Sequence, residues 1–409
     1  MTTPKPQHAP HLFAVEDDCL QVGGIALTRL ARRVGRTPFF ALERSLCTAR
    51  VAQLRAVLPP EVALHYSIKA NPMPALVQHM AALVDGLDVA SSGELRIALD
   101  TGIDPARVSF AGPGKLEAEL AQAVAAGVCI NVESARELAA VARLGIEAGV
   151  TPRVALRINP DFELKSSGMR MGGGAKPFGI DAEQAPALLR EAASLPVLLA
   201  GLHIFCGSQS LNAEAIIEAQ TKCVELALRL VREAGVPLRE LNIGGGLGIP
   251  YFPGEARLDA TAIGANLALL VQQLHAAHPE ARLAVEMGRY LVGEAGIYVA
   301  RVIDRKLSRG QVFLVTDGGM HHHLAASGNL GQVIRKNYPV VVGNRMAGDG
   351  SAASVVGPLC TPLDILADRM ELGHAQVGDL IVVFQSGAYG PSASPAGFLH
   401  HPPALEVLV

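Results

Sequence analysis

The sequence has no tryptophan, few aromatic residues and almost no excess of charge of either sign. Aromatic residues make up 4% of the 409 residues, and the formal net charge is −3. We find no block rich in lysine or arginine, so the chain offers no basic face of the kind that binds nucleic acid. We therefore expect no nucleic-acid partner.

Cysteine is sparse, and long apolar runs are missing. The six cysteines are scattered, without a C-x-x-C pair or a Cys/His cluster at metal spacing. This pattern predicts neither a disulfide framework nor a metal site. No apolar run has the length needed to cross a membrane, and residues 1–10 are polar and contain prolines, unlike a signal peptide. The expected compartment is the cytoplasm.

Short apolar runs alternate with longer segments rich in alanine and leucine from about residue 46 onward. The longer segments carry charges at helical spacing, so the alternation predicts strands followed by helices. Helices are predicted over 74–83, 93–99, 116–125, 135–148, 182–193, 213–234 and 260–277. The eight apolar runs are Ala63 to Lys69, Leu87 to Ser91, Val108 to Gly112, Val128 to Glu133, Arg153 to Asn159, Leu199 to Phe205, Glu240 to Ile243 and Arg282 to Glu286.

Each of the eight runs ends in polar or glycine residues. Eight strands alternating with helices over roughly 230 residues fit a (β/α)8 TIM barrel, and an open doubly wound sheet is the alternative. All strand ends meet on one face of a barrel, where active sites lie, whereas an open sheet spreads them along an edge. The convergence favours an α/β barrel, which we place at residues 46–290.

After Arg289 the pattern changes to apolar segments of period two that are punctuated by glycine. These segments predict antiparallel strands of a second, all-β domain. Residues 11–45 share this character, so we assign residues 1–45 and 291–409 to one discontinuous β-domain. The predicted strands are Ile297 to Ile303, Val312 to Thr316, Val340 to Val342, Ala352 to Val356, Leu380 to Phe384 and Leu405 to Val409.

Lys69 lies at the end of the first apolar run and is followed by Asn71-Pro72. A strand that is stopped at once by Asn-Pro delivers one amine to the rim of a sheet. Most lysines that end strands are simply solvated, so this stretch alone does not assign a role.

Two other strand ends carry groups that suit an anion. Three consecutive glycines, Gly244 to Gly246, leave backbone N–H groups free of side chains, which suits a phosphate. Glu286 and Arg289 follow the eighth run, and barrels commonly bind phosphate after the seventh and eighth strands. The alternative for the glycines is a tight turn that binds no ligand, and the alternative for Glu286 and Arg289 is an ion pair with a purely structural role.

A lysine, a phosphate cradle and a carboxylate are the parts that a pyridoxal phosphate site requires. The amine holds the cofactor, the phosphate anchors it, and the carboxylate keeps the pyridine nitrogen protonated so that the ring accepts electrons from the substrate. The residues therefore predict pyridoxal 5'-phosphate as cofactor, without naming a reaction.

Three further motifs lie in the predicted β-domain. Glycine and prolines hold Cys360 in the loop Gly357 to Asp364, where a thiol can donate a proton, although most isolated cysteines fill cores. Tyr389 follows a strand and is either a phosphate ligand or an ordinary loop residue. Three adjacent histidines, His321 to His323, cannot all reach one ion, so we expect them to be mostly solvated.

Together these motifs resemble the fold-type III pyridoxal-phosphate decarboxylases, the family of ornithine and diaminopimelate decarboxylases, which has an alanine racemase-like barrel. The resemblance runs over nearly the whole chain and rests on motifs that occur in order. The loop Gly357 to Asp364 and the tail Ser392 to Leu399 are most similar to the subgroup associated with exosortase A systems.

The resemblance implies a homodimer with shared active sites and assigns roles to single residues. Lys69 would carry the cofactor, Glu286 would face its pyridine nitrogen, and Cys360 would enter from the partner subunit to protonate the carbanion. The other implied cofactor contacts are Asp88, Arg157, Ser208, Gly244, Gly245, Gly246, Gly288, Arg289 and Tyr389.

The sequence departs from the family pattern at three places. The histidine that generally stacks on the cofactor is replaced by Phe205, which can stack but cannot hydrogen-bond; His203, on the same strand face, could partly compensate. Thr361 stands where relatives have an acid that grips a distal ammonium. The third departure is the histidine triplet, which replaces the arginine and tyrosine that diaminopimelate enzymes use at the distal end. Asp317 and Asp364 are the remaining substrate candidates.

We therefore expect a pyridoxal-phosphate-dependent amino-acid decarboxylase whose substrate is not a simple free diamino acid. One hypothesis is a carrier-bound or acylated amino acid. The alternatives are a decarboxylase of free diaminopimelate, ornithine or lysine, an amino-acid racemase, and a non-catalytic protein of the same fold. Racemases of this fold set an arginine against the pyridine nitrogen, so Glu286 argues against the racemase.

Overall fold

The computed structural model describes residues 9–163, 169–170, 172–330, 332, 334–348 and 350–409. The chain forms two compact units. The first, called the β-unit below, consists of Met1–Arg50, Ile249–Arg257 and Arg289–Val409. The second, called the barrel unit, consists of Val51–Gly248 and Leu258–Gly288. The short segment Ile249–Arg257 thus belongs with the strands that follow residue 289, although it lies between barrel elements in the chain.

The described chain begins with short strands and two helices. The first residues of this part pack as a small three-stranded antiparallel sheet in the order β1-β2-β3. The elements are β1 Val15–Glu16, β2 Cys19–Val22, β3 Ile25–Ala26, α1 Leu27–Val34, β4 Phe39–Leu42 and α2 Arg44–Arg55.

The barrel unit follows with eleven strands and seven α-helices among its described residues. Its strands are β5 Val62–Ser67, β6 Gly86–Val89, β7 Val108–Phe110, β8 Cys129–Val132, β9 Arg153–Asn159, β10 Met169–Arg170, β11 Ile180–Asp181, β12 Leu198–Ile204, β13 Gly207–Ser208, β14 Glu240–Asn242 and β15 Arg282–Met287. Its helices are α3 Pro74–Ala81, α4 Ser92–Asp100, α5 Glu117–Ala126, α6 Ala135–Ala148, α7 Ala185–Ser194, α8 Ala213–Ala234 and α9 Thr261–Ala277.

Eight of these strands close into a parallel barrel in the order β5-β6-β7-β8-β9-β12-β14-β15, with β15 paired to β5. The prediction of a (β/α)8 barrel is confirmed. Local signals set the helix ends: the side chains of Ser91, Ser134 and Asn212 cap helix N-termini. Gly127 and Gly235 end α5 and α8 with the left-handed backbone that glycine adopts at little cost.

The inward face of the barrel is polar. Strand register places His203 opposite both Arg157 and Asn242, and Glu286 opposite His65, so these side chains share one face by the alternation of a β-strand. TIM-barrel interiors are ordinarily filled by branched apolar residues. The buried polar residues of this face are His65, Ser67, Asp88, Ser109, Asn131, Arg157, Asn159, His203, Asn242 and Glu286.

The β-unit contains an eight-stranded sheet in the order β18-β21-β16-β17-β19-β20, to which β4 and β22 add beside β16. Aliphatic and aromatic side chains of this sheet pack with the apolar residues of α1, including Leu27 and Leu30, in one core cluster. Its elements after residue 288 are α10 Arg289–Val292, β16 Gly296–Ser308, β17 Gln311–Thr316, β18 Val340–Val342, β19 Ala353–Val356, β20 Ile365–Met370, β21 Leu380–Val383 and β22 Leu405–Leu408.

The structure corrects three details of the predicted β-domain. The sheet is mixed, since β17 pairs in parallel with β19 and β22 pairs in parallel with β4. Strand β20 was not predicted, because Ile-Leu-Ala-Asp-Arg-Met has no period of two. The predicted strand Ile297 to Ile303 is part of a longer strand, β16 Gly296–Ser308.

The prediction that the three histidines are mostly solvated is wrong. His321, His322 and His323 are all buried. His323 contacts the Ser386 hydroxyl at 2.9 Å, and His322 contacts the carbonyl of Pro402 at 2.8 Å. Burial lowers the pKa of His321 and of His323 to about 3, so these imidazoles are neutral packing groups at neutral pH.

None of the helices in the described ranges combines the length and apolar character that spanning a bilayer demands.

Candidate active site

Lys69 stands at the carboxyl end of β5, in a 3₁₀ turn formed by Ile68–Ala70. Its neighbours in this turn are buried while the Lys69 side chain is exposed. The Lys69 Nζ lies 5.4 Å from the centre of the Phe205 ring, which follows β12. The turn therefore holds the amine at the rim and directs it toward an aromatic face.

The three glycines after β14 give the chain room that no other residue would leave. Gly244 has φ +68°, and a Cβ on it would lie 2.4 Å from Cδ2 of Phe205. A Cβ on Gly245 would lie 2.0 Å from the carbonyl oxygen of Glu286. The Gly244 N–H donates to the Asn242 side chain at 2.9 Å, whereas those of Gly245 and Gly246 have no acceptor among the described residues. This loop offers bare backbone donors.

Glu286 is a buried carboxylate inside the barrel mouth. Nε2 of His203 lies 3.3 Å from its Oε2, without hydrogen-bond alignment, and the Asn242 amide donates to the same oxygen at 3.3 Å. Burial alone raises the pKa of Glu286, but His203, Lys69 and Arg157 outweigh it and hold the pKa well below its ordinary value. Glu286 is therefore ionised at neutral pH. Both ring nitrogens of His203 lack a hydrogen bond within the described residues.

Asp88 lies across the barrel mouth on β6. Its Oδ1 is 3.3 Å from Nδ1 of His65 and accepts from the Ser109 hydroxyl, while its Oδ2 is buried without a partner in the described chain. Burial opposes the charged form of His65, but Asp88 and more distant carboxylates prevail and raise the pKa of His65 to about 9. His65 is thus a buried cation that holds one oxygen of Asp88.

Arg157 is committed to a neighbouring strand end. It donates to Oε1 of Glu133 at 2.8 Å, and the Glu133 carboxylate also accepts from the N–H groups of Gly112 and Gly179. The Glu133 carboxylate therefore connects Arg157 to the backbone at Gly112 and Gly179. Its charge reaches Glu286 through the barrel interior.

Gly288 and Ser208 lie at two other rim positions. A Cβ on Gly288 would come within 2.8 Å of Cβ of Ala70, so the glycine lets β15 end close to the turn that carries Lys69. Ser208 is half-buried in β13, which pairs with β10.

In the β-unit, Arg289 is surrounded by tyrosines. It donates to the Tyr251 hydroxyl at 2.6 Å, and its guanidinium lies 4.6 Å from the ring centre of Tyr389. The ring of Tyr338 packs against that of Tyr251, with 4.6 Å between the ring centres and 45° between the ring planes. Burial opposes the charge of Arg289, but these hydroxyls raise its pKa, so Arg289 is a fixed cation.

Cys360 is exposed in the loop between β19 and β20. The loop is held by Asp364, whose two oxygens accept from the N–H groups of Met320 at 2.6 Å and Leu359 at 2.9 Å. The thiol is therefore presented by a loop that a buried carboxylate fixes. Thr361, the next residue, accepts from the Leu363 N–H at 3.3 Å.

Both carboxylate oxygens of Asp317 also accept hydrogen bonds. One oxygen accepts from the Arg301 N–H at 2.8 Å, and the other accepts from the Thr37 hydroxyl. The carboxylates of Asp317 and Asp364 thus both form hydrogen bonds that stabilise the fold of the β-unit.

Several residues of these networks were not predicted from the sequence. Tyr251 and Tyr338 were missed, although their rarity was a signal: the chain has six tyrosines, and three of them contact or neighbour Arg289. His65, Glu133 and Asn242 were missed because their role is to hold another side chain, which no local motif shows.

Comparison with known proteins places this geometry in a family. The family model of the pyridoxal-dependent decarboxylases, described as their pyridoxal binding domain, matches residues 44–293. The chain is 37% identical over 389 residues to an L-glutamyl-[BtrI acyl-carrier protein] decarboxylase of Niallia circulans, covering 93% of this chain and 90% of the relative. The chain belongs to the pyridoxal-dependent decarboxylases.

Other relatives of this decarboxylase are diaminopimelate decarboxylases. It is 33% identical to the diaminopimelate decarboxylase of Aquifex aeolicus, with 98% of this chain and 93% of the relative covered. The crystal structure of diaminopimelate decarboxylase from M. jannaschii with L-lysine has a TM-score of 0.88 at 25% identity, covering 97% and 92% of the two chains. The predicted family and enzyme class are confirmed, and the exosortase-associated subgroup stays a prediction.

The cofactor of this decarboxylase is pyridoxal phosphate, and the barrel mouth fits it in two respects. The loop Gly244 to Gly246 offers a cradle that any Cβ would fill and two N–H groups without a described acceptor. The mouth also holds buried polar atoms that lack partners in the described chain, on His203 and Asp88. Buried polar atoms are normally satisfied, so a polar ligand accounts for them.

We predict that Gly244→Ala destabilises the barrel and releases the cofactor. The added Cβ meets the Phe205 ring in a left-handed backbone conformation, which should cost about 2–3 kcal/mol of unfolding free energy. Gly127→Ala is the matched control, because Gly127 has φ +78° with open space around it and should cost about 1 kcal/mol. Denaturant midpoints and cofactor retained after desalting measure both. Equal losses in the two variants would contradict the steric account.

We also predict that His65 makes a pH-dependent contribution to the free energy of unfolding. Its pKa in the folded chain is about 9, above the unfolded value of about 6.5. The raised pKa stabilises the fold fully below pH 6.5, by roughly 2–3 kcal/mol, and this contribution is lost as the pH rises through 9. The advantage of the wild type over His65→Gln in thermal unfolding should therefore shrink between pH 6.5 and 9.5.

His275→Gln is the control for this pH series, because His275 contacts only a backbone carbonyl, that of Ala281, among the described residues. A difference between wild type and His65→Gln that stays constant with pH would show that the His65–Asp88 pair does not titrate with folding.

Proposed function

We propose that this chain decarboxylates an amino acid that is joined through its side-chain carboxyl to a carrier protein. The proposal rests on the three residues that were expected to bind the distal end of the substrate, because none of them offers a free negative charge. Thr361 has no charge, and the carboxylates of Asp317 and Asp364 are bonded to groups of the β-unit. None of the three is a free anion for a distal ammonium, which costs free energy to bury without a charged partner.

The chemistry of the reaction decides how such a substrate is attached. Loss of the α-carboxylate on pyridoxal phosphate requires that the α-amino group and the α-carboxylate both be free. An aminoacyl group on a carrier protein must then be bound through a second carboxyl group. A dicarboxylic amino acid such as glutamate provides one, and its distal end becomes neutral on attachment. The L-glutamyl carrier-protein substrate of the Niallia circulans relative supports this proposal.

Each predicted site residue then takes a role. When bound, pyridoxal phosphate accepts the electron pair that the α-carbon retains as carbon dioxide leaves. Lys69 holds the cofactor through Nζ, and Phe205 gives its ring an apolar face. Glu286 stays ionised beside His203 and keeps a proton on the pyridine nitrogen. Asp88 presents its unpartnered Oδ2 to the cofactor near Lys69.

The phosphate is assigned to the rim. Gly245 and Gly246 donate their N–H groups, with Gly244 and Gly288 leaving space for them, and Ser208 adds a hydroxyl. Arg289 supplies the positive charge, and Tyr389 and Tyr251 orient its guanidinium. Arg157 acts at longer range, by ordering Glu133 and lowering the pKa of Glu286.

Cys360 is proposed to give a proton to the α-carbon after carbon dioxide has left. We propose that it does so in the active site of a second copy of the chain, within a homodimer. A fixed loop with an exposed thiol supports this role, because a proton donor must reach the reacting carbon and hold its position.

Substitution of Lys69 and of Cys360 should separate cofactor binding from proton delivery. Lys69→Ala should remove the visible absorbance of lysine-bound pyridoxal and abolish decarboxylation. Cys360→Ala should keep that absorbance and slow formation of the amine product by about 10²–10⁴-fold, the usual contribution of a positioned proton donor. Cys19→Ala, at the other cysteine that is not fully buried, is the control. A Cys360→Ala enzyme of full activity would remove the role proposed for Cys360.

The substrate proposal predicts a large preference among substrates. The value of kcat/KM for an L-glutamyl thioester on a carrier protein should exceed those for free diaminopimelate, lysine, ornithine and glutamate by at least about 10²-fold, because only the thioester presents a neutral distal end. Mass spectrometry of the products also separates decarboxylation from racemisation, which releases no carbon dioxide. Comparable turnover of a free diamino acid would refute the proposal.

A further inference from the structure

Helix α1 presents a row of arginines that the rest of the fold does not use. Arg29, Arg32, Arg33 and Arg36 lie within ten residues of one another, in the sequence Leu-Thr-Arg-Leu-Ala-Arg-Arg-Val-Gly-Arg, and all four are exposed. The other face of the helix, with Leu27, Leu30 and Ala31, is buried in the core of the β-unit. The helix is therefore fixed by its apolar face and displays its basic face outward. We call these four residues the α1 arginine row.

The row has little internal compensation. Arg29 is three and four residues before Arg32 and Arg33, spacings at which like charges on a helix repel, and Arg36 follows the helix, which ends at Val34. Arg32 and Arg33 in the last turn favour the helix dipole, but Arg29 in the first turn opposes it. In the described chain, Arg29, Arg32 and Arg33 have no ion-pair partner, and Arg36 donates only to the carbonyl of Pro403.

Nearby acids do not neutralise the row. Helix α1 contacts β2 and β3 most extensively. Glu43 accepts from the Gly23 N–H, in the turn between these strands, at 2.8 Å and from the Ser45 hydroxyl at 2.6 Å, and the acids beside β2 are Glu16, Asp17 and Asp18. Asp18 accepts from the Ala347 N–H at 2.6 Å, and none of the three forms an ion pair with the row in the described chain. For a protein with a net charge of −3, this is a local concentration of positive charge.

Within the β-unit, a short path of contacts links the row to the loop that presents Cys360. Thr37, next to Arg36, donates to Asp317. Three residues on, the Met320 N–H donates to Asp364 at 2.6 Å, and Asp364 accepts from Leu359, the residue before Cys360. The segment that follows the row and the loop of the proposed proton donor are thus connected within the β-unit through residues 317–320 and Asp364.

We propose that the α1 arginine row is the docking surface for the carrier protein that delivers the substrate, a partner that presents acidic side chains. This inference rests on the proposed function. A small substrate gives no reason for an unpartnered basic row at the surface, whereas a protein-bound substrate must be recognised outside the pocket. Exposed charges of one sign steer an oppositely charged partner and raise its association rate. A membrane fits less well, because the apolar face of α1 is already buried.

The test compares two substrates with one reactive end. The first is the L-glutamyl thioester on the BtrI acyl-carrier protein of Niallia circulans. The second is the same thioester on N-acetylcysteamine, which carries no protein. The holoenzyme variant Arg29→Gln/Arg32→Gln/Arg33→Gln should lower kcat/KM for the carrier-bound substrate by at least about tenfold, mainly through KM, and leave the small thioester within twofold.

The matched control is Arg96→Gln/Arg190→Gln/Arg232→Gln, which removes the same number of exposed helical arginines from the barrel unit. It should leave the ratio of the two kcat/KM values unchanged. The wild-type ratio should also fall as salt rises from 50 to 300 mM, and the α1 variant should lose most of this dependence, because screening acts on the charges that were removed.

Each other outcome overturns the inference. If the α1 variant lowers kcat/KM equally for both substrates, the row acts through folding and does not dock a carrier. If neither changes, docking occurs elsewhere while the proposed function stands. If the variant instead loses binding to phosphatidylglycerol vesicles or to a duplex DNA oligomer with an unchanged ratio, the row serves that partner. Turnover of free amino acids alone, with neither thioester accepted, refutes the proposed function itself.

Discussion

The ionised carboxylate of Glu286 inside the barrel is the constraint to which the interior of this protein is adapted. A buried charge is costly unless charged or polar groups compensate for it. Here the compensation comes from three directions: His203 at 3.3 Å, Asn242 at 3.3 Å and the positive field of Lys69 and Arg157. Each of these sits at a different strand end. The four groups come from strands that are consecutive with β15 in the order β9-β12-β14-β15-β5, and the curvature of the barrel brings them around the carboxylate.

The same constraint explains why the inward face of the barrel is polar. Arg157 must itself be compensated, which Glu133 does, and Glu133 in turn accepts two backbone N–H groups. On the opposite side, Asp88 is held by His65 and Ser109. Charges of alternating sign therefore run around the mouth of the barrel. Polar interiors of this kind specify geometry more than they stabilise, and the stability must come from apolar contacts elsewhere, such as those between helices and the outer faces of the strands.

The predictability of these features depends on how local their causes are. The eight strands, their ends and the residues Lys69, Gly244 to Gly246 and Glu286 follow from periodicity and from single motifs, and the structure contains all eight strands. Pairings such as His65 with Asp88, or Arg289 with Tyr251, join segments far apart in the chain, and alternation shows only which face a residue occupies. The histidine triplet was misjudged for this reason. It is buried by Tyr298, Ser386 and Pro402, none of which is near it in sequence.

Under the proposed function, the barrel supplies the reactive centre and the β-unit contributes to the choice of substrate. Asp317 and Asp364 look like substrate-binding acids in the sequence, but Asp364 holds the loop that carries Cys360, and Asp317 accepts from Arg301 and Thr37. A pocket without a free charge gains little from a charged distal end. It can accept a neutral thioester, whose specificity then has to come from the protein attached to it. Recognition of that protein would take place at the enzyme surface, where the α1 arginine row offers positive charge that the fold itself does not require.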